Sequence, residues 1–80
     1  MRKYFVFSEA KSGDTPWDSF SGIFDRQDEA EAAAHAEWGH LTDAEKHKRT
    51  ITVAYADVPD GEDPLEVALT EGYYSCLELT

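Results

Sequence analysis

The chain has one cysteine, Cys76, in 80 residues, so neither an intrachain disulfide nor a cysteine-based zinc site can form. A lone thiol fits a reduced, cytoplasmic setting. Long apolar runs are missing too. After Arg2 and Lys3 the continuously apolar stretch is Tyr4 to Phe7, too short for the core of a signal peptide or for a membrane span. Positive charge is scarce: seven Lys and Arg face seventeen Asp and Glu, a formal net charge of −10. A field of that sign repels nucleic acid and anionic membrane, so neither is expected as a direct partner. It suits a basic protein surface, and it also serves solubility alone.

Catalytic signatures are absent from the sequence as well. There is no Gly-rich phosphate loop, nucleophile elbow or triad order. The histidines His35, His40 and His47 are spaced by five and seven, which does not set a pair on one helix face. Glu31 lies four residues before His35 and pairs with it most simply as a surface i,i+4 contact. The acidic run from Asp57 to Asp63 lacks the alternating ligands and distal bidentate Glu of a calcium loop. Nothing places a raised-pKa acid among Glu9, Asp14 and Asp18 beside a nucleophile. Cys76 has no neighbouring cation in sequence to activate it. The expectation is a non-enzymatic protein with no cofactor and no metal.

What is present is a regular alternation of elements in a chain long enough for one domain. Lys3 to Ser8 reads as a strand with aromatics on both faces, hence an interior one. Lys11 to Pro16 is a loop, and Ser19 to Phe24 a second strand that pairs with the first as a hairpin, Gly22 marking a bulge or a close backbone approach. Asp25 is the expected N-cap of a helix, with Asp28 as its reciprocal acid. Ala30, Ala33, Ala34, Trp38 and Leu41 share one face of that helix, and Gly39 is placed to stop it. Thr42-Asp43-Ala44-Glu45 is a capping box for a short helix to about Lys48, within ~2 residues. Thr50 to Val58 alternates as a third strand, one face core and the other small and partly polar. For Pro64 to Glu71 two readings stand. Asp63, Pro64, Glu66 and Gly72 spell a short capped helix, the favoured one; Leu65, Val67 and Leu69 alternate as a strand would. Tyr73 to Leu79 is the last strand. The fold class is therefore α+β, in the order β-β-α-α-β-α-β, with a small antiparallel sheet of about four strands and helices packed on one face.

Charge is concentrated in two stretches. Eight acids lie between Glu9 and Glu37, and seven between Asp57 and Thr80, the latter with no base. Between them Lys46, Lys48 and Arg49 form a basic knot. Asp28, Glu29 and Glu31 crowd the first turns of the long helix, where the dipole favours them. Asp60, Glu62 and Asp63 belong to the acidic loop. Trp17, after Pro16, either anchors an interface or folds back over the sheet.

The stretch Gly22 to Asp25, with Glu29-Ala30, Ala33-Ala34, Glu37-Trp38-Gly39-His40-Leu41-Thr42-Asp43-Ala44-Glu45-Lys46 and Arg49, resembles small uncharacterised acidic proteins of gut bacteria and their mobile elements. The resemblance covers about the middle third of the chain. It implies a small accessory or interaction protein and carries over no catalytic residue.

Together these features predict a protein-binding accessory domain, one form of which is a mobile-element inhibitor or nucleic-acid mimic that covers a basic protein surface. Its contacts would be Trp17, Asp28, Glu29, Glu31, Asp60, Glu62 and Asp63. The alternative is a structural domain that forms a homodimer through an edge strand. A weaker third is nucleic-acid contact through Lys46, Lys48 and Arg49 with Arg2 and Lys3.

Overall fold

The computed structural model describes residues 1–11 and 19–80. The order is β1 (Arg2–Ala10), β2 (Ser19–Phe24), α1 (Gln27–Gly39), α2 (Asp43–Lys48), β3 (Arg49–Asp57), α3 (Pro64–Glu71) and β4 (Tyr74–Leu79). The α+β class and element order are those expected. The loop placed at Lys11 to Pro16 lies, beyond Lys11, outside the described residues. The strands form one antiparallel sheet in the order β2-β1-β3-β4, so β1 is interior as its two-sided aromatic pattern implies.

Strand pairing fixes two faces, because residues opposite each other in a ladder project to the same side. On the first face Val6 of β1 meets Val53 of β3, and Leu77 and Leu79 of β4 pair with Val53 and Ile51. Helix α1 lies here, with Ala30 and Ala34 fully buried against Val6, Ile51 and Val53. A helix that presents alanine to a sheet brings its backbone close. Trp38 and Leu41 then pack at the border of the cluster.

On the second face Phe5 pairs with Ala54. Helix α3 covers it, Ala68 packing on Phe5 and Ala56 with Tyr73 alongside. Phe7 meets Tyr73 edge-on, with ring centroids 5.6 Å apart. The helices therefore lie on both faces rather than one. The reason is the pattern of β1 itself: Phe5 and Phe7 alternate with Tyr4 and Val6, so each face carries large apolar groups that need a cover. Each fully buried Phe or Val contributes roughly 1.5–3 kcal/mol. Thr50 and Thr52 on this face are buried too, so the side of β3 read as partly polar is also interior.

Local chemistry accounts for most boundaries. Thr42 and Glu45 make the full capping box of α2, the Thr42 Oγ1 accepting from the Glu45 N–H at 3.2 Å and Glu45 Oε1 accepting from the Thr42 N–H at 3.0 Å. The segment 64–71 is the capped helix: Asp63 accepts from the Leu65 N–H at 3.0 Å, Pro64 opens it, and Gly72, at φ 96, closes it with its N–H on the Ala68 carbonyl. The ends of α1 differ from expectation. Arg26, not Asp25, is its N-cap, and no side chain caps it. Asp25 is instead drawn to Lys3 of β1, and Asp28 to Arg26. Gly39 belongs to the helix, which ends at His40 through a tighter bond to the Glu37 carbonyl.

Both edge strands carry a bulge. Val6 pairs with Gly22 but Phe7 with Phe20, which leaves Ser21 as the extra residue beside the suspected Gly22. Val53 pairs with Leu77 but Ala54 with Ser75, which leaves Cys76 over in β4. Each extra residue finds a partner: Ser21 Oγ donates to Glu37 of α1, and Cys76 Sγ to the Val53 carbonyl at 3.3 Å.

Candidate functional site

Antiparallel pairing brings part of each acidic stretch to one end of the sheet, while Glu9 and Glu78 pair with Thr50 and Thr52 toward the other. Arg2 lies opposite Asp57, Tyr4 opposite both Phe24 and Tyr55, and Tyr55 opposite Tyr74. The start of β1, the end of β2, the end of β3 and the start of β4 are thus side by side. Asp25, Asp28 and Glu29 follow β2 there, and Asp57, Asp60, Glu62 and Asp63 follow or close β3. Against these acids stand Arg2, Lys3 and Arg26.

The expected contact residues divide by what their carboxylates already do. Asp28 takes a forked pair of bonds from Arg26, both at 3.1 Å, and one from the Glu29 N–H at 2.9 Å. The Arg26 guanidinium holds the Asp28 carboxyl below its ordinary range. Glu31 accepts from Gln27 at 2.8 Å and is half-buried one turn into α1. Its charge adds to burial in pushing the Cys76 thiol up, which marks Cys76 as a packed thiol rather than an activated one. Asp63 is spent on capping α3. Glu29, Asp60 and Glu62 are exposed, with no hydrogen bond or ion pair from their side chains to any described residue. Trp17 lies outside the described residues.

One component of this end was not read from the sequence. On the first face Phe24, Tyr4, Tyr55 and Tyr74 form a row that crosses all four strands. Ring centroids are 6.1 Å apart for Tyr4 and Tyr55, and 5.4 Å for Tyr55 and Tyr74 at an interplanar angle of 31°. Tyr4, Tyr55 and Phe24 are half-buried, and Tyr74 is 68% exposed. The Arg2 guanidinium lies 4.3 Å over the Tyr55 ring and reaches Asp57 at 3.4 Å. Interactions with Tyr4 and then Asp57 favour its charged form. The signal that could have found the row is the tyrosine at a strand end in three of the four strands. Its alignment depends on register between distant segments.

The other end of the sheet holds the basic knot. Arg49 Nε donates to the buried Ser8 Oγ at 2.8 Å, and Lys46 Nζ lies 5.6 Å from the Trp38 ring centroid. The Lys11 N–H bonds the Lys48 carbonyl at 2.8 Å. Arg2 and Lys3 are a full strand away, roughly 25 Å by strand rise. The five cations suggested for nucleic-acid contact are therefore divided between opposite ends. Among the described residues no enclosed pocket is present, no group of three or more His, Cys, Asp or Glu converges, and no helix is long and apolar enough to cross a membrane.

No protein-family model matches the chain, and neither a curated protein nor a solved structure matches it.

Proposed function

We propose that this is a non-enzymatic binding domain whose acidic end covers a basic surface on another protein. The observation that carries this reading is the convergence of Asp25, Asp28 and Glu29 with Asp57, Asp60, Glu62 and Asp63, 28 and more residues apart in the sequence, on one end of the sheet beside a tyrosine row whose Tyr74 is exposed. The side chains of Glu29, Asp60 and Glu62 make no hydrogen bond or ion pair to any described residue. Exposed charges of this kind steer and select partners more than they stabilise a fold. Aromatics beside them supply the desolvated area that charge alone lacks. The finer form of the proposal is an inhibitor carried by a mobile element that shields a nucleic-acid channel, which the charge and the resemblance of residues 22–49 support.

Affinity capture from bacterial lysate at low and moderate salt tests the reading. The expected result is a stoichiometric basic partner that is lost when Glu29, Asp60 and Glu62 are changed to Gln, Asn and Gln. Capture that does not respond to those changes, or no partner at all, overturns it. Self-association through an edge strand has weaker support, since bulges at Ser21 and Cys76 interrupt both edge strands, a feature that discourages edge pairing. Light scattering that shows one monomer mass at all concentrations removes the homodimer.

A further inference from the structure

We infer that the tyrosine row is the seat of an arginine side chain from the basic partner, with Tyr74 as the ring on which it stacks. The inference rests on the binding reading above and adds the chemistry of the contact. The molecule already holds one guanidinium in this way. Arg2 lies 4.3 Å over Tyr55 while its Nε faces Asp57. Tyr55 is thus occupied on the first face, and Tyr74 is the next ring in the row, tilted only 31° from it and mostly exposed at the sheet edge. No cation lies over Tyr74 from within the described residues. An exposed ring beside an excess of carboxylates attracts a cation in two ways, through its quadrupole and through the surrounding field.

Arginine fits better than lysine for a geometric reason. Its planar guanidinium stacks flat on an aromatic face and still directs N–H groups sideways, and it gives up its water more readily than an ammonium does. Asp57, at the end of β3 and well exposed, already receives such a donor from Arg2. The occupant is therefore a basic segment of a protein with arginine at its contact point. An oligolysine of equal charge satisfies the field but not the ring.

Titration of the full chain with hexa-arginine and hexa-lysine peptides, followed by NMR at low salt, tests this. Hexa-arginine is expected to bind about two- to fivefold more tightly than hexa-lysine, with the largest shifts at Tyr74 and Tyr55. Tyr74→Leu should bring the two peptides level, whereas Tyr74→Phe, which keeps the ring, should preserve the preference. Equal affinities for the unchanged chain overturn the inference, as does a preference that survives Tyr74→Leu. If both peptides bind equally and both weaken when Glu29, Asp60 and Glu62 are neutralised, the tyrosine seat fails and the acidic-end reading stands. If neither peptide binds, both fail.

Discussion

The two ends of the sheet treat charge in opposite ways. At the basic end the cations work for the fold: Arg49 satisfies Ser8, which is buried between strands, and Lys46 lies over Trp38. The same end holds a complete capping box, between Thr42 and Glu45. At the acidic end Asp28 and Asp63 serve local structure, but Glu29, Asp60 and Glu62 do not. Exposed carboxylates without partners repel one another, and of the three only Glu29 has an internal gain, from the N-terminal dipole of α1. The difference teaches where to look for function, since a group that contributes nothing to folding is free to serve a partner. It also predicts that stability and binding separate by end.

The largest effect on stability is expected from Arg49→Met. It removes the donor to a buried hydroxyl, and an unsatisfied buried polar group costs about 1–3 kcal/mol. Denaturant unfolding measures it, and affinity for a cationic peptide should not change. An equal loss of both would break the separation. The next effect runs the other way. Neutralising Glu29, Asp60 and Glu62 together should weaken binding of a cationic peptide roughly tenfold at low salt, as three exposed ion pairs would. The unfolding midpoint should stay within about 3 °C, the range of surface changes that touch no cap or core. Adding salt should erase most of the difference in binding. A large drop in the midpoint would show that these carboxylates serve the fold after all.

A smaller effect returns to the basic end. Thr42→Ala deletes the side-chain half of the capping box and is expected to cost about 1 kcal/mol, again with no change in binding. Thr42→Ser, which keeps the hydroxyl, should restore most of that. Because α2 has six residues, its cap carries a large share of its stability, whereas the thirteen-residue α1 forms with no side-chain cap.

That contrast explains what the sequence made legible. Signals that act over three or four residues were readable: the Thr42–Glu45 box, the Asp63-Pro64 opening and Gly72 closing of α3, and the alternation that defines β1 and β3. Asp25 has the right residue type for a cap and sits beside the start of α1, yet it faces Lys3, a residue brought near only by strand pairing. The placement of α3 was hidden for a related reason. Alternation reveals that β1 has two apolar faces but not which helix covers each. At the candidate site the acidic residues were named individually, while their convergence and the tyrosine row needed the register of all four strands. Local chemistry specifies elements; sites assembled across the sheet are specified by pairing.

The smallest expected effect distinguishes the two ends by the cause of a pKa shift. The carboxyls of Asp28 and Glu45 are both held below their ordinary values of 3.8 and 4.5. A carboxylate with a depressed folded value contributes stability that is present above its unfolded value and lost as pH falls through the folded one. Acidification below 4.5 should therefore first weaken the part due to Glu45, and below 3.8 the part due to Asp28. The causes differ. For Asp28 the leading one is the Arg26 guanidinium, on an exposed surface where salt screens it. For Glu45 it is the Thr42 backbone N–H, a short-range bond to a neutral donor that salt hardly affects. Carboxyl pKa values followed by NMR in low and high salt should show the Asp28 value rising toward ordinary while that of Glu45 stays depressed. Asp28→Asn and Glu45→Gln serve as controls, each removing one titration. An Asp28 value that stays depressed in high salt would mean that the acidic end is held together by the same short-range bonds as the basic end.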